Sequence, residues 1–188
     1  MHKPAVDGLV IVKGFLNPLE QLELISHADM GSWSTELKRR VQHFGYRYNY
    51  KSRRVTQGEI AQPIPAWGRQ NIQQVINAGI SLQTFDQMII NEYMPGQGIS
   101  SHIDCISCFA NEIVSISLGS SCVMTFSKAG YVFDLFLEPG DLLLMRNEAR
   151  HEWRHQIKAR KADIWDGLKI RRERRLSLTY RHVLIQQT

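Results

Sequence analysis

The chain has little cysteine, little proline and no long apolar run, and each scarcity excludes something. Its three cysteines, Cys105, Cys108 and Cys122 among 188 residues, form a small, odd set that does not suggest a disulfide framework. Cys105 and Cys108 make a lone C-x-x-C. A structural zinc knuckle needs a second ligand pair at similar spacing, and the sequence has none. No apolar run approaches the ~18 residues of a membrane span. The opening MHKPAVDGLVIVKGF carries a short apolar patch without the layout of a signal peptide, so a cytoplasmic setting, or a nuclear one in a eukaryote, is expected. Internal repeats and low-complexity segments are also missing.

What remains is the profile of one globular domain: 43% hydrophobic, 22% charged, long enough to bury a core. Lys and Arg outnumber Asp and Glu by 23 to 18, a net charge of +5. The cations cluster at Lys38, Arg39 and Arg40, at Lys51, Arg53 and Arg54, and from Arg154 to Arg175. Two readings stand: a basic soluble protein, or one with a polyanionic partner such as nucleic acid.

Residues 8–14 (GLVIVKG) read as a first strand. Asn17 then caps a helix with Pro18 in its first turn, and Leu19, Leu22 and Ile25 recur at helical spacing. FGYRYNY, Phe44 to Tyr50, alternates aromatic and polar residues and predicts a strand. Pro63 and Pro65 mark a loop, and Trp67 to Ala78 predicts a second helix, ended by Gly79. From residue 85 the character changes to short β-rich runs punctuated by Gly and Pro: QMIINEY, EIVSISLG, CVMTFSK, YVFDLFLE, DLLLMRN and RRLSLTYRHV. Many short strands after a few helices predict an α+β domain with a β-sandwich or barrel core.

The stretch His151 to His155, HEWRH, fits the H-E-x-x-H signature of zinc peptidases, which requires both histidines on one helical face and Glu152 as base. From Arg150 to Ile157 the residues instead alternate: Arg150, Glu152, Arg154 and Gln156 against His151, Trp153, His155 and Ile157. That is a strand pattern, although a helical stripe of Ala149, Trp153 and Ile157 is an alternative. If it is a strand, His155 needs other partners. His102-Ile103-Asp104 offers an imidazole and a carboxylate two residues apart, facing the same way on an extended chain. Two histidines and one carboxylate fill one face of an octahedral ion and leave three positions open. A 2-oxo acid bound there needs a buried cation for its far carboxylate, and Arg is the bidentate match. The run Arg175 to Arg181 places Arg175, Ser177, Thr179 and Arg181 on one face, either a solvated edge or an inward arginine row.

Four blocks then resemble the AlkB family of Fe(II)- and 2-oxoglutarate-dependent dioxygenases. They are Asn91-Glu92-Tyr93-Met94-Pro95-Gly96 through His102 and Asp104; Ser115 to Gly119; Gly140 to Met145 with Ala149 to His155; and Arg175 to Arg181. The resemblance covers roughly residues 85–183. It implies a double-stranded β-helix, or jelly roll, with N-terminal helices and a nucleotide-recognition lid: a single domain over 1–188, helices and lid in 1–84, core in 85–183. It implies iron at His102, Asp104 and His155. It implies 2-oxoglutarate on Arg175, beside Asn91, Tyr93 and Ser177, with Arg181 at the metal-proximal end supporting Asp104 or the keto acid. His151 has no ligand role in the family. The implied reaction spends dioxygen and 2-oxoglutarate to oxidise a substrate C–H bond. An N-methyl group is then lost as formaldehyde, while a stable carbon keeps the hydroxyl.

In the family the lid reads the substrate, and here it spans roughly Lys38 to Pro65. Tyr46, Tyr48 and Tyr50 lie there among Arg47, Lys51, Arg53 and Arg54, rings for bases and cations for phosphates. The wording HFGYRYNY, PGQGISSHID and ARHEWRHQI is most similar to the branch that includes the tRNA wobble-uridine hydroxylase. That branch carries an RNA-recognition module and a methyltransferase, for which this chain leaves no length. Repair of alkylated DNA or RNA, tRNA modification and a protein substrate all remain open. So do two other classes, a zinc peptidase and a non-catalytic RNA-binding module. A monomer is expected.

Overall fold

The computed structural model describes residues 5–50, 52, 54, 55, 58 and 60–185. Two antiparallel sheets face each other. The larger contains β1 (Leu9–Val12), β2 (Val41–Phe44), β3 (Gln87–Tyr93), β5 (Phe109–Gly119), β8 (Leu142–Met145) and β12 (Arg175–Val183), in the order β1-β8-β5-β12-β3-β2. The smaller contains β4 (Ile99–His102), β6 (Cys122–Lys128), β7 (Tyr131–Leu137) and β9 (Arg154–Ile157), in the order β4-β9-β6-β7. A separate hairpin joins β10 (Ala162–Trp165) to β11 (Leu168–Arg171). This is the expected jelly roll.

Three helices complete it: α1 (Pro18–Asp29), α2 (Ala66–Asn77) and the short α3 (Asn147–His151). Asn17 caps α1 as expected. Its side chain accepts from the Leu19 and Glu20 amides, and Glu20 returns a bond to the Asn17 amide.

Alternation along β12 divides its side chains between two jobs. Leu176, Leu178 and Tyr180 are buried in the core shared with Leu24 and Ala28 of α1 and Ile72 and Val75 of α2. Each fully buried aliphatic there contributes roughly 1.5–3 kcal/mol. The Tyr180 hydroxyl donates to Asn71 Oδ1 at 2.9 Å, anchoring α2. Arg175, Ser177, Thr179 and Arg181 turn the other way, into a cavity between the sheets. A second core fills the rest of that space, with Ile113, Leu143 and Met145 against Met124, Phe126 and Ile157.

Two expectations are corrected. FGYRYNY is not a strand. β2 ends at Phe44, because Gly45 takes φ +76° and a Cβ there would stand 1.8 Å from the Asp86 carbonyl oxygen. Beyond it only isolated bridges remain, Tyr46 with Ile60 and Asn49 with Arg54. α1 forms where the spacing placed it, and it docks through Leu24 and Ala28 while Leu19 and Leu22 stay exposed. HEWRH is neither one strand nor one helix. His151 ends α3 and β9 starts at Arg154, so the alternation is structural only beyond Trp153, with His155 and Ile157 buried. Arg150, placed by the alternation on a polar face, is buried. Cys105 and Cys108, though no framework, are joined in a local disulfide.

Candidate metal centre and co-substrate pocket

Strands β4 and β9 pair, with His102 opposite His155 and Ile99 opposite Ile157. Three steps on β4 therefore match two on β9. The extra residue is a bulge, a device that re-aims a side chain at a site. Gly98 permits the close approach: a Cβ there would meet the Ile157 carbonyl oxygen at 2.2 Å.

The two imidazole rings lie 4.4 Å apart, and Asp104, just past β4, brings Oδ2 to 3.8 Å from His155 Nε2. One ligand atom from each of His102, Asp104 and His155 lies within 4.8 Å of the others, the only such trio of His, Cys, Asp or Glu among the described residues. His102 Nδ1 bonds the Ser100 carbonyl oxygen at 2.8 Å, which leaves Nε2 as the free donor atom.

Protonation suits a cation. Burial, offset in part by Asp104, pushes His155 down to about 4, so it is neutral at pH 7. Burial would raise the Asp104 carboxyl, but Arg181, His155, His102 and Arg150 outweigh it and hold the group well below the usual carboxylate range. A neutral His155, a second imidazole on His102 with Nε2 free and an ionised carboxylate, open on one side to a cavity, fit a divalent iron with exchangeable positions.

That cavity measures about 430 Å³. At its far end Arg175 is 3% exposed, donates to Ser117 Oγ at 2.8 Å, and centres 5.5 Å from the Tyr93 ring. Its Nε and Nη1 have no hydrogen-bond partner, and it has no salt bridge among the described residues. Arg181 donates to Asp104 Oδ1 at 3.1 Å, and its Nε and Nη1 are likewise unpaired. Two buried guanidinium groups with idle donors on one cavity fit a molecule with two anionic ends, as a 2-oxo diacid has. Asn91 and Tyr93 on β3 line the space between, opposite Ser177 and Arg175 in register. Ser177 Oγ is 2.8 Å from Ser115 Oγ.

Of the lid residues, Tyr48 and Tyr50 line the cavity, edge to face at 5.2 Å. The structure does not bring their fellows to it. Tyr46 packs beside Val55, Cys108 and Val183, and exposed Arg54 bridges to Asn49. Arg53 lies outside the described residues. His151 Nε2 bonds Asn111 Oδ1 at 3.0 Å and Glu152 pairs with Lys128 at 2.8 Å, both away from the trio.

Two residues here went unassigned in the sequence. Arg150 donates at 2.9 Å to the carbonyl oxygens of both Asp104 and Cys105, holding the ligand loop that the Cys105–Cys108 disulfide also closes. It stood inside a matched block, Ala149 to His155, and only its burial would have revealed it. Arg39, one of a basic triplet, also reaches the cavity.

The sequence profile of the 2OG-Fe(II) oxygenase superfamily matches residues 17–181. The uncharacterized protein L905 of Acanthamoeba polyphaga mimivirus is 33% identical over 182 residues, 95% of this chain and 86% of that protein. The tRNA (carboxymethyluridine(34)-5-O)-methyltransferase alkbh8 of Xenopus tropicalis is 34% identical over 163 residues, 84% of this chain. This chain spans only 26% of that longer protein. In three dimensions the chain is similar to the solved structure of OsALKBH1, with a TM-score of 0.73, 19% identity, and coverage of 96% of this chain and 98% of that one. The last likeness speaks to fold.

Proposed function

The chain belongs to the 2OG-Fe(II) oxygenase superfamily, AlkB-like within it, and from that premise we propose that it is a dioxygenase oxidising a modified base in nucleic acid. We assign iron to His102, Asp104 and His155, and 2-oxoglutarate to Arg175 with Asn91, Tyr93 and Ser177, its carboxylate nearer the metal facing Arg181. The observation that carries the assignment is the trio of ligands and the two under-bonded arginines sharing one cavity.

Iron held there supplies oxidation of a C–H bond, with dioxygen and 2-oxoglutarate consumed and succinate and carbon dioxide released. The protein does the rest. Arg181 keeps Asp104 ionised and aimed. Arg175 fixes the co-substrate by its distal end, and the hydroxyls of Ser115 and Ser177 leave that wall polar but uncharged. Met124, Leu143 and Met145 line the cavity with apolar surface that excludes water. A hydroxylated N-methyl group collapses to formaldehyde and the bare base, whereas a hydroxylated carbon is stable.

Tyr48 and Tyr50 at the cavity wall, the excess of cations and the tRNA uridine on which the frog relative acts support a base as substrate. We further propose one catalytic unit, with residues 1–84 as helices and lid and 85–183 as core. We place its work in the cytoplasm or, in a eukaryote, the nucleus. Among the described residues no helix is long and apolar enough to cross a membrane.

Anaerobic titration of Fe(II) and 2-oxoglutarate should give a metal-to-ligand absorption band that His155→Ala abolishes. A band unchanged in that variant overturns the ligand assignment. Methylated DNA and RNA oligonucleotides and modified tRNA should release formaldehyde or gain one oxygen by mass. Inertness toward all of them overturns the nucleic-acid substrate.

A further inference from the structure

Arg39 is the one member of the Lys38-Arg39-Arg40 triplet that lines the cavity. Its neighbour Arg40 is engaged by Glu92, and Arg47 by Glu36, but Arg39 has no carboxylate partner among the described residues. Its Nε donates to Asn91 Oδ1 at 2.9 Å. Its guanidinium centres 5.8 Å from the Tyr93 ring and 6.0 Å from the Tyr50 ring. Tyr93 is thus shared between Arg39 and Arg175.

The bond to Asn91 has a chemical consequence. A side-chain amide offers a carbonyl oxygen on one side and two N–H donors on the other. With the oxygen committed to Arg39, the NH2 is the end left for the cavity. An anionic co-substrate needs a donor there, and a flipped amide would present an oxygen to it instead. Arg39 also belongs to the lid side of the molecule, where it meets Tyr50.

We propose that Arg39 is a positioning residue: it locks Asn91 as a donor toward the co-substrate and ties the lid tyrosine Tyr50 to the co-substrate floor, so that co-substrate binding and lid order are linked. The proposal rests on the co-substrate assignment above, and it predicts reciprocity, since whatever orders one site must favour the other.

The test uses the intact chain loaded with Mn(II), which permits binding without turnover. Calorimetric titration of 2-oxoglutarate should show Arg39→Met weaker by about tenfold, the scale of one hydrogen bond to a charged group. Mn(II) affinity should be unchanged, because no ligand is touched, and this doubles as the check that the variant is folded. Arg39→Lys, which keeps the charge but not the fork, should recover part of the loss. Because Arg39 acts through Asn91, the double variant Arg39→Met/Asn91→Ala should bind no more weakly than Asn91→Ala alone. Additive losses in that cycle overturn the positioning role. Hydrogen exchange supplies the second readout: 2-oxoglutarate should slow exchange of the amides around Tyr50 in the wild type and not in Arg39→Met. Equal slowing in both overturns the link to the lid. Should the wild type itself fail to bind 2-oxoglutarate, the co-substrate assignment falls instead, so the two failures are distinguishable.

Discussion

Arg175→Met should separate co-substrate binding from stability, in opposite directions. In the free protein Arg175 is a buried cation held by the Ser117 hydroxyl, the Cys122 thiol and the Tyr93 ring, with Nε and Nη1 idle. Replacing an incompletely compensated buried charge by an apolar side chain of similar length is neutral to stabilising, by up to about 4 kcal/mol. The ligand experiences the reverse. A carboxylate brought into that pocket without its guanidinium is a buried, unpaired anion, a loss of about 3–5 kcal/mol. At about 1.4 kcal/mol per tenfold, affinity for 2-oxoglutarate falls by roughly two to three and a half powers of ten. Denaturant melts of the metal-free protein measure the first quantity, and calorimetric titration onto the Mn(II) form the second. The two assays also cross-check. At a concentration of one hundred times Kd, 2-oxoglutarate should stabilise the wild type by about 2.7 kcal/mol and the variant hardly at all. Arg175→Lys should lie between, since it keeps the charge and loses the bidentate fork. A methionine variant that is markedly less stable yet binds 2-oxoglutarate as the wild type does would refute the reasoning: Arg175 would then be a structural cation and the co-substrate anchor would lie elsewhere.

The remaining predictions concern acid and the HEWRH motif. His43 in β2 is pushed down to about 4, first by burial and then by Arg47, and its ring nitrogens have no hydrogen-bond partner among the described residues. An unfolded histidine titrates near 6.5, so the unfolded chain takes the proton first. Nothing is lost above that pH, and stability falls as pH drops from about 6.5 toward 4, by about 2 kcal/mol at pH 5 relative to pH 7. His43→Leu should remove that share of the difference between denaturant melts at the two pH values, and an unchanged difference would count against it. Glu152→Gln should leave succinate formation within twofold of wild type, because the carboxylate is half-exposed and held by Lys128. Loss of turnover would show that Glu152 serves the chemistry, as a zinc-peptidase reading requires.

The jelly roll and its AlkB likeness were legible because their signals are local and repeated. Strand β12 spells its two faces residue by residue, and turns such as Pro139-Gly140-Asp141 mark where strands stop. The H-x-D pair is also local. What local pattern could not supply is the partner. His155 stands beside His102 only through the β4–β9 pairing and its bulge, a long-range event. The same limit hid the fate of FGYRYNY. Its alternation is strand-like, but Gly45 lies against the backbone at Asp86, and that contact turns the chain away. HEWRH misled in both directions, because a helical turn and a strand meet inside five residues. Arg150 and Arg39 were invisible for a further reason. Nothing in an arginine's sequence context distinguishes one that points to water from one that folds back onto a carbonyl or an amide.

The position of the site explains why the fold tolerates so many buried cations. Strand β12 is central in its sheet, hydrogen-bonded to β5 on one edge and β3 on the other, so its backbone polar groups are satisfied by the ladders alone. Its helix-facing side chains supply apolar burial, and the opposite face is free to carry Arg175 and Arg181, whose idle donors would count against a core but suit an anion that arrives later. Because both jobs share one strand, the backbone positions of Arg175 and Arg181 are fixed six residues apart along an extended chain, at roughly 3.3 Å each. That separation of about 20 Å between backbone positions exceeds the length of any small keto acid. How far the two side chains reach into the shared cavity therefore decides the fit. Arg181 reaches Asp104 and Arg175 lies over Tyr93, its partner in register, and the cavity that both line is what a dianion of a few carbons has to occupy.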